Sequence, residues 1–413
     1  MGFEPSPRAQ ELIGRVEEFI RAEIEPVEAE IHAATLASAD PWQPQPLFGE
    51  LQAKARKQGL WNLFLPPAEP GNEQYGEGLA NLDYAPIAEL TGRSFIAPYV
   101  FNCNAPDTGN MEVLLRYGDA EQKKRWLEPL LDGTIRSAFC MTEPDVASSD
   151  ATNMAATAIV DGDEVVINGR KWWSTGVGHP DCQLLIFMGL TDPDAHRYAR
   201  HTMVLVPRDT PGVKVERMLP AMSRYDEPHG HGEVSFTEVR VPASNILVGP
   251  GRAFEIAQGR LGPGRVHHCM RLVGLAEKAL ELALQRGTSR TAFGKPLVNL
   301  GGNRERVADA RIAINQARLL VLQTAYLLDT EGLVGALSEV SQIKVAVPRM
   351  AQDVIDMAIQ LHGGGGLSDD FPLAAAWTSA RALRLADGPD EVHRGVIARI
   401  ELASYLAAAQ EAK

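Results

Sequence analysis

The spacing of apolar residues changes twice along the chain, and this pattern decides most of the predicted architecture. Up to about residue 134, apolar side chains such as Ile13, Val16 and Ile20 recur at the period of an amphipathic helix. From about 135 to 245 the apolar runs are short, rich in β-branched residues and separated by turn sequences. The helical period then returns in long segments. The sequence predicts an α+β multidomain chain: an N-terminal all-α domain (1–134), a central β domain of barrel or sandwich type (135–250) and a C-terminal helical bundle (251–413).

Turn and capping residues predict where the individual elements begin and end. Ser6 followed by Pro7 is typical of a helix start, with a capping side chain and a proline in the first turn. The predicted helices cover 47–58, 83–93, 107–117, 120–131, 253–286, 303–330, 336–361, 372–385 and 389–408. The predicted strands cover 155–160, 164–168, 183–188, 201–206 and 233–239.

Charge and cysteine usage exclude several classes of protein. The chain has 53 acidic and 40 basic residues, and its net charge of −13 would repel a nucleic acid. No run of 18 apolar residues occurs and no apolar segment lies near the start, so we expect neither a membrane span nor a secretory signal. The four cysteines form no C-x-x-C pair, which suits a reducing, cytoplasmic location. They are Cys103, Cys140, Cys182 and Cys269.

Common nucleotide-binding and metal-binding motifs are absent from the sequence. No G-x-G-x-x-G follows a predicted strand, and Gly294-Lys295 precedes a proline, so neither a Rossmann site nor a P-loop is expected. His229 and His231 could ligate a metal, but they lie among glycine and proline residues. A solvated loop is the preferred interpretation, and no metal is predicted.

Two segments in the predicted β domain combine features that suit a ligand. Pro144 ends a strand within 139–150 and is followed by small hydroxyl residues, whose N–H and O–H groups could bind an anion. An ordinary strand and turn would give the same sequence. Trp172 and Trp173 are adjacent on a predicted strand and should point to opposite faces. One could then lie in the core while the other covers a planar ligand, although a core residue beside a surface residue is the alternative.

Two further segments lie in the predicted helical bundle. Arg290 stands between two long predicted helices, where its planar fork would suit a pyrophosphate, although an exposed loop explains it equally well. The four glycines of 363–366 exceed what a helix end needs and allow another backbone or a ligand to approach closely. Asp387 comes shortly before a predicted helix, so it is either a functional carboxylate or the N-cap of that helix.

The order and spacing of these segments resemble the acyl-CoA dehydrogenase family across essentially the whole chain. Five motifs match in the family's order: Thr142-Glu-Pro, Lys171-Trp-Trp-Ser-Thr, Phe236-Thr-Glu-Val-Arg-Val-Pro, Arg290-x-x-Phe-Gly and the glycine-rich to Asp-Gly tail. The sequences that follow Glu143 and surround Asp387 resemble those of a branch in which some members carry an extra kinase-like domain. The resemblance implies a flavoprotein with FAD, a homodimer or homotetramer, and a place in fatty acid β-oxidation.

By this resemblance, individual residues acquire cofactor roles. Ser148 and Ser149 compete for the FAD pyrophosphate, because the segment is one residue longer here than is usual. Glu391 stands where the family usually has a glutamine that reaches FAD. The residues expected at the flavin ring are Met141, Thr142, Trp173, Ser174 and Thr175, and those expected at the FAD of a neighbouring subunit are Arg290, Phe293, Gln360, Gly363 and Gly364.

The resemblance also implies a reaction. Asp387 would remove the α-proton of an acyl-CoA thioester while a hydride leaves the β-carbon for flavin N5, which gives a trans-2-enoyl-CoA. The family's usual residue is Glu, and the other position used by some relatives, just ahead of Arg265, holds no carboxylate here (259–264). Arg265 would help to place the acyl-CoA, and an electron-transfer flavoprotein would accept the electrons.

Three other functions stay open at this level. A flavin oxidase of the same superfamily, similar to nitroalkane oxidase, also uses an Asp base. The kinase-fused branch suggests an enzyme that processes 4-hydroxyacyl-CoA or its phosphorylated form. A flavin-bearing relative associated with DNA is disfavoured by the net charge of −13.

Overall fold

The computed structural model describes residues 2–76 and 78–411, and its elements follow the predicted order of helices, strands and helices. The first helices are α1 (Pro7–Phe19), α2 (Glu25–Ala37), α3 (Pro46–Lys57), α4 (Asn81–Thr91), α5 (Ala97–Val100), α6 (Asp107–Tyr117), α7 (Ala120–Gln122) and α8 (Glu128–Leu131). The strands are β1 (Arg136–Cys140), β2 (Thr157–Asp161), β3 (Glu164–Thr175), β4 (Cys182–Leu190), β5 (His201–Pro207), β6 (Val213–Met218) and β7 (His231–Pro242). The later elements are α9 (Ala253–Ser289), a hairpin of β8 (Thr291–Ala292) and β9 (Lys295–Pro296), α10 (Asn303–Gly335), α11 (Leu337–His362), α12 (Leu373–Ala382) and α13 (Asp390–Glu411).

The predicted fold class is confirmed, and most predicted ends of helices and strands lie within three residues of the observed ones. α1 begins at Pro7, and the Ser6 hydroxyl accepts a hydrogen bond from the Ala9 N–H at 3.2 Å, as the N-cap prediction requires. β6 was not predicted. None of its side chains is fully buried, so its sequence carries too few apolar residues to show a strand pattern.

The chain divides into two compact units. The helical unit comprises Met1–Ile24, Gly78–Pro98 and Arg265–Lys413, and the β unit comprises Glu25–Glu77 and Tyr99–Gly264. The bounds of the three predicted domains remain a prediction. Among the described residues, no helix combines the length and apolar character that crossing a bilayer requires.

The β unit is organised around a seven-stranded sheet. Its strand order is β1-β4-β2-β3-β7-β6, and β5 pairs with β4 off this path. β1 runs parallel to β4, whereas β3 pairs with β7 and β4 pairs with β5 in antiparallel fashion. The sheet buries a core that includes Ala138, Ile167, Leu185, Phe187, Val204, Val234 and Phe236. All four cysteines of the chain are buried free thiols.

Two glycines set the close approach of α4 to α9 in the helical unit. A Cβ added to Gly274 would lie 1.8 Å from the carbonyl oxygen of Glu89, and one added to Gly92 would lie 2.0 Å from the carbonyl oxygen of Arg271. Any side chain at either position would therefore push the two backbones apart. This contact fixes the part of α9 that carries Arg271, while α11 packs against α10, α12 and α13.

A buried ion pair fastens the chain that follows β1 onto β3. The Lys171 ammonium lies 2.6 Å from Glu143 Oε1 and donates to the Met141 carbonyl at 2.9 Å. The Glu143 carboxylate also accepts the N–H groups of Ala155 and Ala156. Burial lowers the pKa of Lys171, and the neighbouring Glu143 opposes that shift. Both charges of the pair therefore have hydrogen-bond partners in addition to each other, which a buried pair of charges needs.

Replacing Glu143 with Gln should destabilise the β unit, because the Lys171 charge would stay buried without a counter-charge. We expect the free energy of unfolding at neutral pH to fall by about 3–5 kcal/mol, measured by urea unfolding. Glu164→Gln is the control, since Glu164 lies on β3 like Lys171 and its ion pair with Arg240 is solvent-exposed. That change should cost less than about 1 kcal/mol. Equal losses in the two variants would contradict the assignment.

Candidate functional site

The segment after β1 turns beside β3 and is held there by its backbone. The Trp172 N–H donates to the Thr142 carbonyl at 3.0 Å, and the Thr142 hydroxyl donates to the Trp172 carbonyl at 2.7 Å. The Ser148 hydroxyl accepts the Glu143 N–H at 2.8 Å, so it closes the loop on itself. Ser149 is exposed, whereas Met141 is buried. Of the two competing serines, Ser149 therefore presents its hydroxyl to solvent.

Trp173 is placed by a break in β3. The pairing of β3 with β7 shifts between Lys171 and Ser174, and Trp173 has a left-handed φ of 51°. The rings of Trp172 and Trp173 lie 6.3 Å apart, centroid to centroid, and neither is fully buried. The prediction that they point to opposite faces, one into the core, is wrong. The bulge cancels the alternation of a regular strand, and Lys171 and Ser174 take the buried positions instead.

His229 and His231 do not lie in a solvated loop, so that interpretation is wrong. His229 is buried, and its ring stacks on that of His179, with centroids 5.7 Å apart. His231 begins β7: its Nδ1 lies 2.8 Å from the Thr175 hydroxyl, and its ring centroid lies 5.4 Å from that of Trp173. Burial lowers the pKa of both His229 and His231 below that of a free imidazole, and in His231 the charge of Asp226 opposes the shift. Among the described residues, no three potential ligand side chains cluster as a metal would require.

These residues give the β unit a surface suited to a planar ligand with an anionic part. Trp173 is 41% exposed although its side chain is large and apolar. Its left-handed backbone is unfavourable for a bulky residue, and conformations of this kind concentrate at functional sites. The hydroxyl group of Ser149 lies in the segment after β1, and that of Thr175 lies at the end of β3. An exposed indole can stack on an aromatic ring, and hydroxyls can bind oxygen anions.

In the helical unit, Asp387 lies in the turn between α12 and α13. Its φ is 56°, in the left-handed region, and Gly388 follows with a φ of 105°. α13 begins at Asp390, so Pro389 directly precedes the helix and Asp387 lies three residues before its start. The alternative interpretation of Asp387 as the N-cap of this helix is therefore wrong. The strained backbone directs a carboxylate whose side chain is 17% exposed.

Buried donors hold this turn through its carbonyl groups. The Lys344 ammonium, on α11, donates to the carbonyls of Leu383 at 2.6 Å and Ala386 at 2.8 Å. The Asp387 carbonyl accepts from Arg265 Nε at 3.0 Å and from His393 Nε2 at 3.2 Å. Burial lowers the pKa of Lys344 and of Arg265, and in both cases the Asp387 charge opposes the shift.

The Asp387 carboxylate has a histidine beside it that the sequence did not reveal. His268 Nε2 lies 3.5 Å from Asp387 Oδ2. His268 and Lys344 are far from Asp387 along the chain, and neither belongs to a motif that sequence reasoning identified. The one available signal was their type, since a His or Lys within a largely apolar helix needs a polar partner when it is buried.

The hairpin residues predicted to bind a cofactor are exposed in the helical unit. Arg290 directly precedes the β8–β9 hairpin, and Phe293 at its tip is 95% exposed with a left-handed φ of 51°. Gly294 completes the turn with a φ of 75°. An aromatic side chain that is almost fully exposed is suited to a contact outside its own unit.

The predicted residues at the end of α11 lie at the same end of the helical unit as the hairpin. The ring of Phe371 contacts two helix ends. Its centroid lies 5.8 Å from Cζ of Arg286, near the end of α9, and 4.6 Å from the ring centroid of His362, at the end of α11. The two helix ends are therefore neighbours. The predicted residues in this region, Gln360, Gly363 and Gly364, are exposed, as is Glu391 in the first turn of α13.

Comparison with known proteins gives matches along almost the whole chain. Family models described as acyl-CoA dehydrogenase N-terminal, middle and C-terminal domains match residues 6–134, 138–239 and 251–402. Mouse "Acyl-CoA dehydrogenase family member 10" is 54% identical over 96% of this chain, which spans only 37% of that relative. "Probable acyl-CoA dehydrogenase FadE2" of Mycobacterium tuberculosis is 50% identical, and the match covers 97% of each chain.

Solved structures agree with this result. A structure from Mycobacterium abscessus, assigned provisionally to the acyl-CoA dehydrogenases, is 71% identical with a TM-score of 0.94. The match covers 97% of this chain and 100% of that one. The similarity therefore extends over both sequence and fold.

Removing the Lys344 ammonium should loosen the turn that carries Asp387. Lys344→Met keeps the apolar stem but leaves the carbonyls of Leu383 and Ala386 without this donor, so we expect a loss of about 1–3 kcal/mol in unfolding free energy. Hydrogen exchange of residues 383–388 should become faster, measured by mass spectrometry. Lys295→Met, at an exposed position of β9, is the control and should change neither quantity. Unchanged exchange in the turn would refute the anchoring role.

Proposed function

The chain belongs to the acyl-CoA dehydrogenase family, and from this premise we propose that it oxidises an acyl-CoA thioester to a trans-2-enoyl-CoA with FAD as its cofactor. The expected family and its oxidoreductase class are confirmed by the family matches. The substrate, the cofactor and the roles of residues are the proposal. The observation that carries it is the Asp387 carboxylate, held on a left-handed turn whose carbonyl groups are fixed by buried donors.

The residues of the β unit fit a flavin. Trp173 offers an exposed indole to a planar ring, and Met141, Thr142 and Thr175 would hold the ring beside it. Ser149 would bind the pyrophosphate, because the hydroxyl of Ser148 already closes its own loop. Ser174 is buried next to Trp173 and would contribute through its place in the strand. When bound, FAD accepts the hydride that the substrate loses.

The exposed end of the helical unit supports a cofactor contact with a second copy of the chain. The Arg290 fork suits a pyrophosphate, and Phe293 would contact an aromatic ring. Gly363 and Gly364 would approach through their exposed backbone, which allows close contact, and Gln360 is exposed beside them. We propose that Arg290, Phe293, Gln360, Gly363 and Gly364 reach the FAD of a neighbouring subunit in a homodimer or homotetramer. The role of Glu391 stays a prediction, with Arg394 lying 3.9 Å from its carboxylate.

The proposed chemistry needs a base that reaches the α-proton and is shielded from water. Asp387 meets the second condition, since its side chain is 17% exposed. The first condition depends on placement, because Asp is one methylene shorter than the Glu usual in the family. Arg265 donates to the Asp387 carbonyl, so it holds the base in addition to any contact with acyl-CoA. Electrons would pass onward to an electron-transfer flavoprotein.

Asp387→Asn should slow flavin reduction by acyl-CoA by about 10²–10⁴-fold, because a positioned general base contributes that much. Asn tolerates the left-handed conformation and is nearly isosteric, so the protein should fold and retain FAD. The measurement is anaerobic stopped-flow bleaching of the flavin with a panel of straight, branched and 4-hydroxy acyl-CoAs.

The matched control is Asp356→Asn, an exposed position on α11 that should leave the rate unchanged. Flavin reduction at the original rate in Asp387→Asn would reject the catalytic role. Failure of every acyl-CoA to bleach the flavin of the unmodified protein would reject the proposed function itself.

Arg290→Ala should loosen FAD, because the pyrophosphate would lose a bidentate cation. A hydrogen bond to a charged group is worth about 1.5–3 kcal/mol, so the Kd for FAD should rise by about 10- to 100-fold. Kd is measured by fluorescence titration, and the assembly state is measured by analytical ultracentrifugation. Arg399→Ala, an exposed position on α13, is the control. A stable monomer that binds FAD as tightly as the unmodified protein would contradict the contribution of a second subunit.

A further inference from the structure

We propose that His268 is a positioning residue for Asp387: its Nε2–H group faces the Asp387 carboxylate, orients it and stabilises its ionised form, while Arg271 fixes the histidine tautomer. This inference rests on the proposed function, because it assigns a partner to the proposed base. It differs from the acyl-CoA chemistry described above in adding a second side chain, on α9, to the carboxylate on the turn.

His268 lies beside the Asp387 carboxylate. Its Nε2 lies 3.5 Å from Asp387 Oδ2, and the two side chains are 20% and 17% exposed. At this separation and in this partial burial, solvent screens the interaction less than it would at the surface. The imidazole is therefore placed to bias both the direction and the charge of the carboxylate.

The neighbouring Arg271 determines the tautomer of His268. Arg271 Nη2 lies 3.3 Å from His268 Nδ1. A guanidinium carries only donors, so Nδ1 must accept in this contact. A neutral imidazole whose Nδ1 accepts carries its proton on Nε2, which is the nitrogen that faces Asp387. Arg271 itself is held by the close contact between its backbone and Gly92.

Helix α9 presents two side chains to Asp387. Arg265 and His268 are three residues apart and therefore share one face of the helix. Arg265 holds the Asp387 backbone through its carbonyl, and His268 faces the Asp387 carboxylate. The helix thus contacts both ends of the same residue, which fixes the position of the carboxylate more fully than either contact would alone.

These contacts predict how the base responds to pH. A donor N–H group beside a carboxylate favours its charged form, so loss of the imidazole 3.5 Å from Asp387 should move ionisation of Asp387 to higher pH. His268 already carries a proton on Nε2, so the substrate proton stays on Asp387 instead of passing to that nitrogen. The other charged or titratable groups around the turn are Arg265, Cys269 and Arg271 on α9, Lys344 on α11, Arg384 in the turn, and Asp390 and His393 on α13.

The test compares His268→Gln with His268→Asn. The Gln amide nitrogen reaches roughly the position of Nε2 and can still donate to Asp387, whereas the Asn amide nitrogen reaches only the position of Nδ1. We expect Asn to move the acid limb of the flavin-reduction rate upward by about one pH unit, and Gln to retain most of the original profile. The dissociation constant for acyl-CoA should change little. His196→Ala, an exposed histidine in the β unit, is the control.

A second measurement does not depend on activity. The chain has 10 histidines, and the ¹⁵N resonances of His268 can be assigned by their absence in His268→Gln. The shifts should report a neutral ring protonated at Nε2 at pH 7, and Arg271→Met should populate the other tautomer. A resting protein with the proton on Nδ1 would overturn the proposal.

The outcomes separate this inference from the proposed function. Suppose that acyl-CoA reduces the flavin of the unmodified protein and that His268→Gln and His268→Asn both keep the acid limb of its pH profile. The positioning role is then wrong while the proposed function stands. If Gln and Asn shift the limb equally, His268 acts by packing and the donor role is wrong. If no acyl-CoA reduces the unmodified protein, the proposed function fails, and the resonance measurement still decides the tautomer.

Discussion

The turn between α12 and α13 depends on hydrogen bonds that its carbonyl groups accept from buried side chains. Lys344 satisfies two of these carbonyls, and Arg265 and His393 satisfy that of Asp387. A left-handed conformation at a residue other than glycine persists only where its surroundings enforce it. Here the enforcing groups are cations and an imidazole that lose much of their hydration on burial. Their cost is offset by the carbonyls, and the result is one fixed direction for the Asp387 carboxylate.

The β unit uses the same arrangement at its own candidate site. A buried ammonium, that of Lys171, donates to the Met141 carbonyl and pairs with Glu143. Two residues further along β3, Trp173 adopts a left-handed φ of 51° and presents its ring to solvent. In each unit, therefore, a buried lysine secures the backbone next to a strained residue whose side chain is proposed to act. Buried charges close to each strained residue hold its backbone conformation. Local stability and the proposed function therefore depend on the same groups.

The sequence allowed the fold to be predicted because period and capping are local properties. α1, with its Ser6 cap, and the long helices of the bundle follow directly from residue spacing. The candidate site was predicted only as far as its motifs extend. The predicted orientation of Trp172 and Trp173 was wrong because a bulge arises from the pairing of β3 with β7. The sequence of β3 alone does not indicate it. The partners of Asp387 were missed because the chain brings them together from α9 and α11, and no local pattern encodes such contacts.

The shape of the turn also explains why this chain can use an aspartate as its proposed base. Asp and Asn adopt left-handed conformations more readily than longer side chains, because their short polar groups can bond locally. A shorter side chain has fewer rotatable bonds, so the backbone decides where its carboxylate points. An Asp base therefore places a greater demand on the backbone than a Glu base would. The chain meets that demand with three side-chain donors to the turn, from Lys344, Arg265 and His393, and with His268 beside the carboxylate. On this view the residue type of the base and the buried donors around it form a single arrangement, and neither would work without the other.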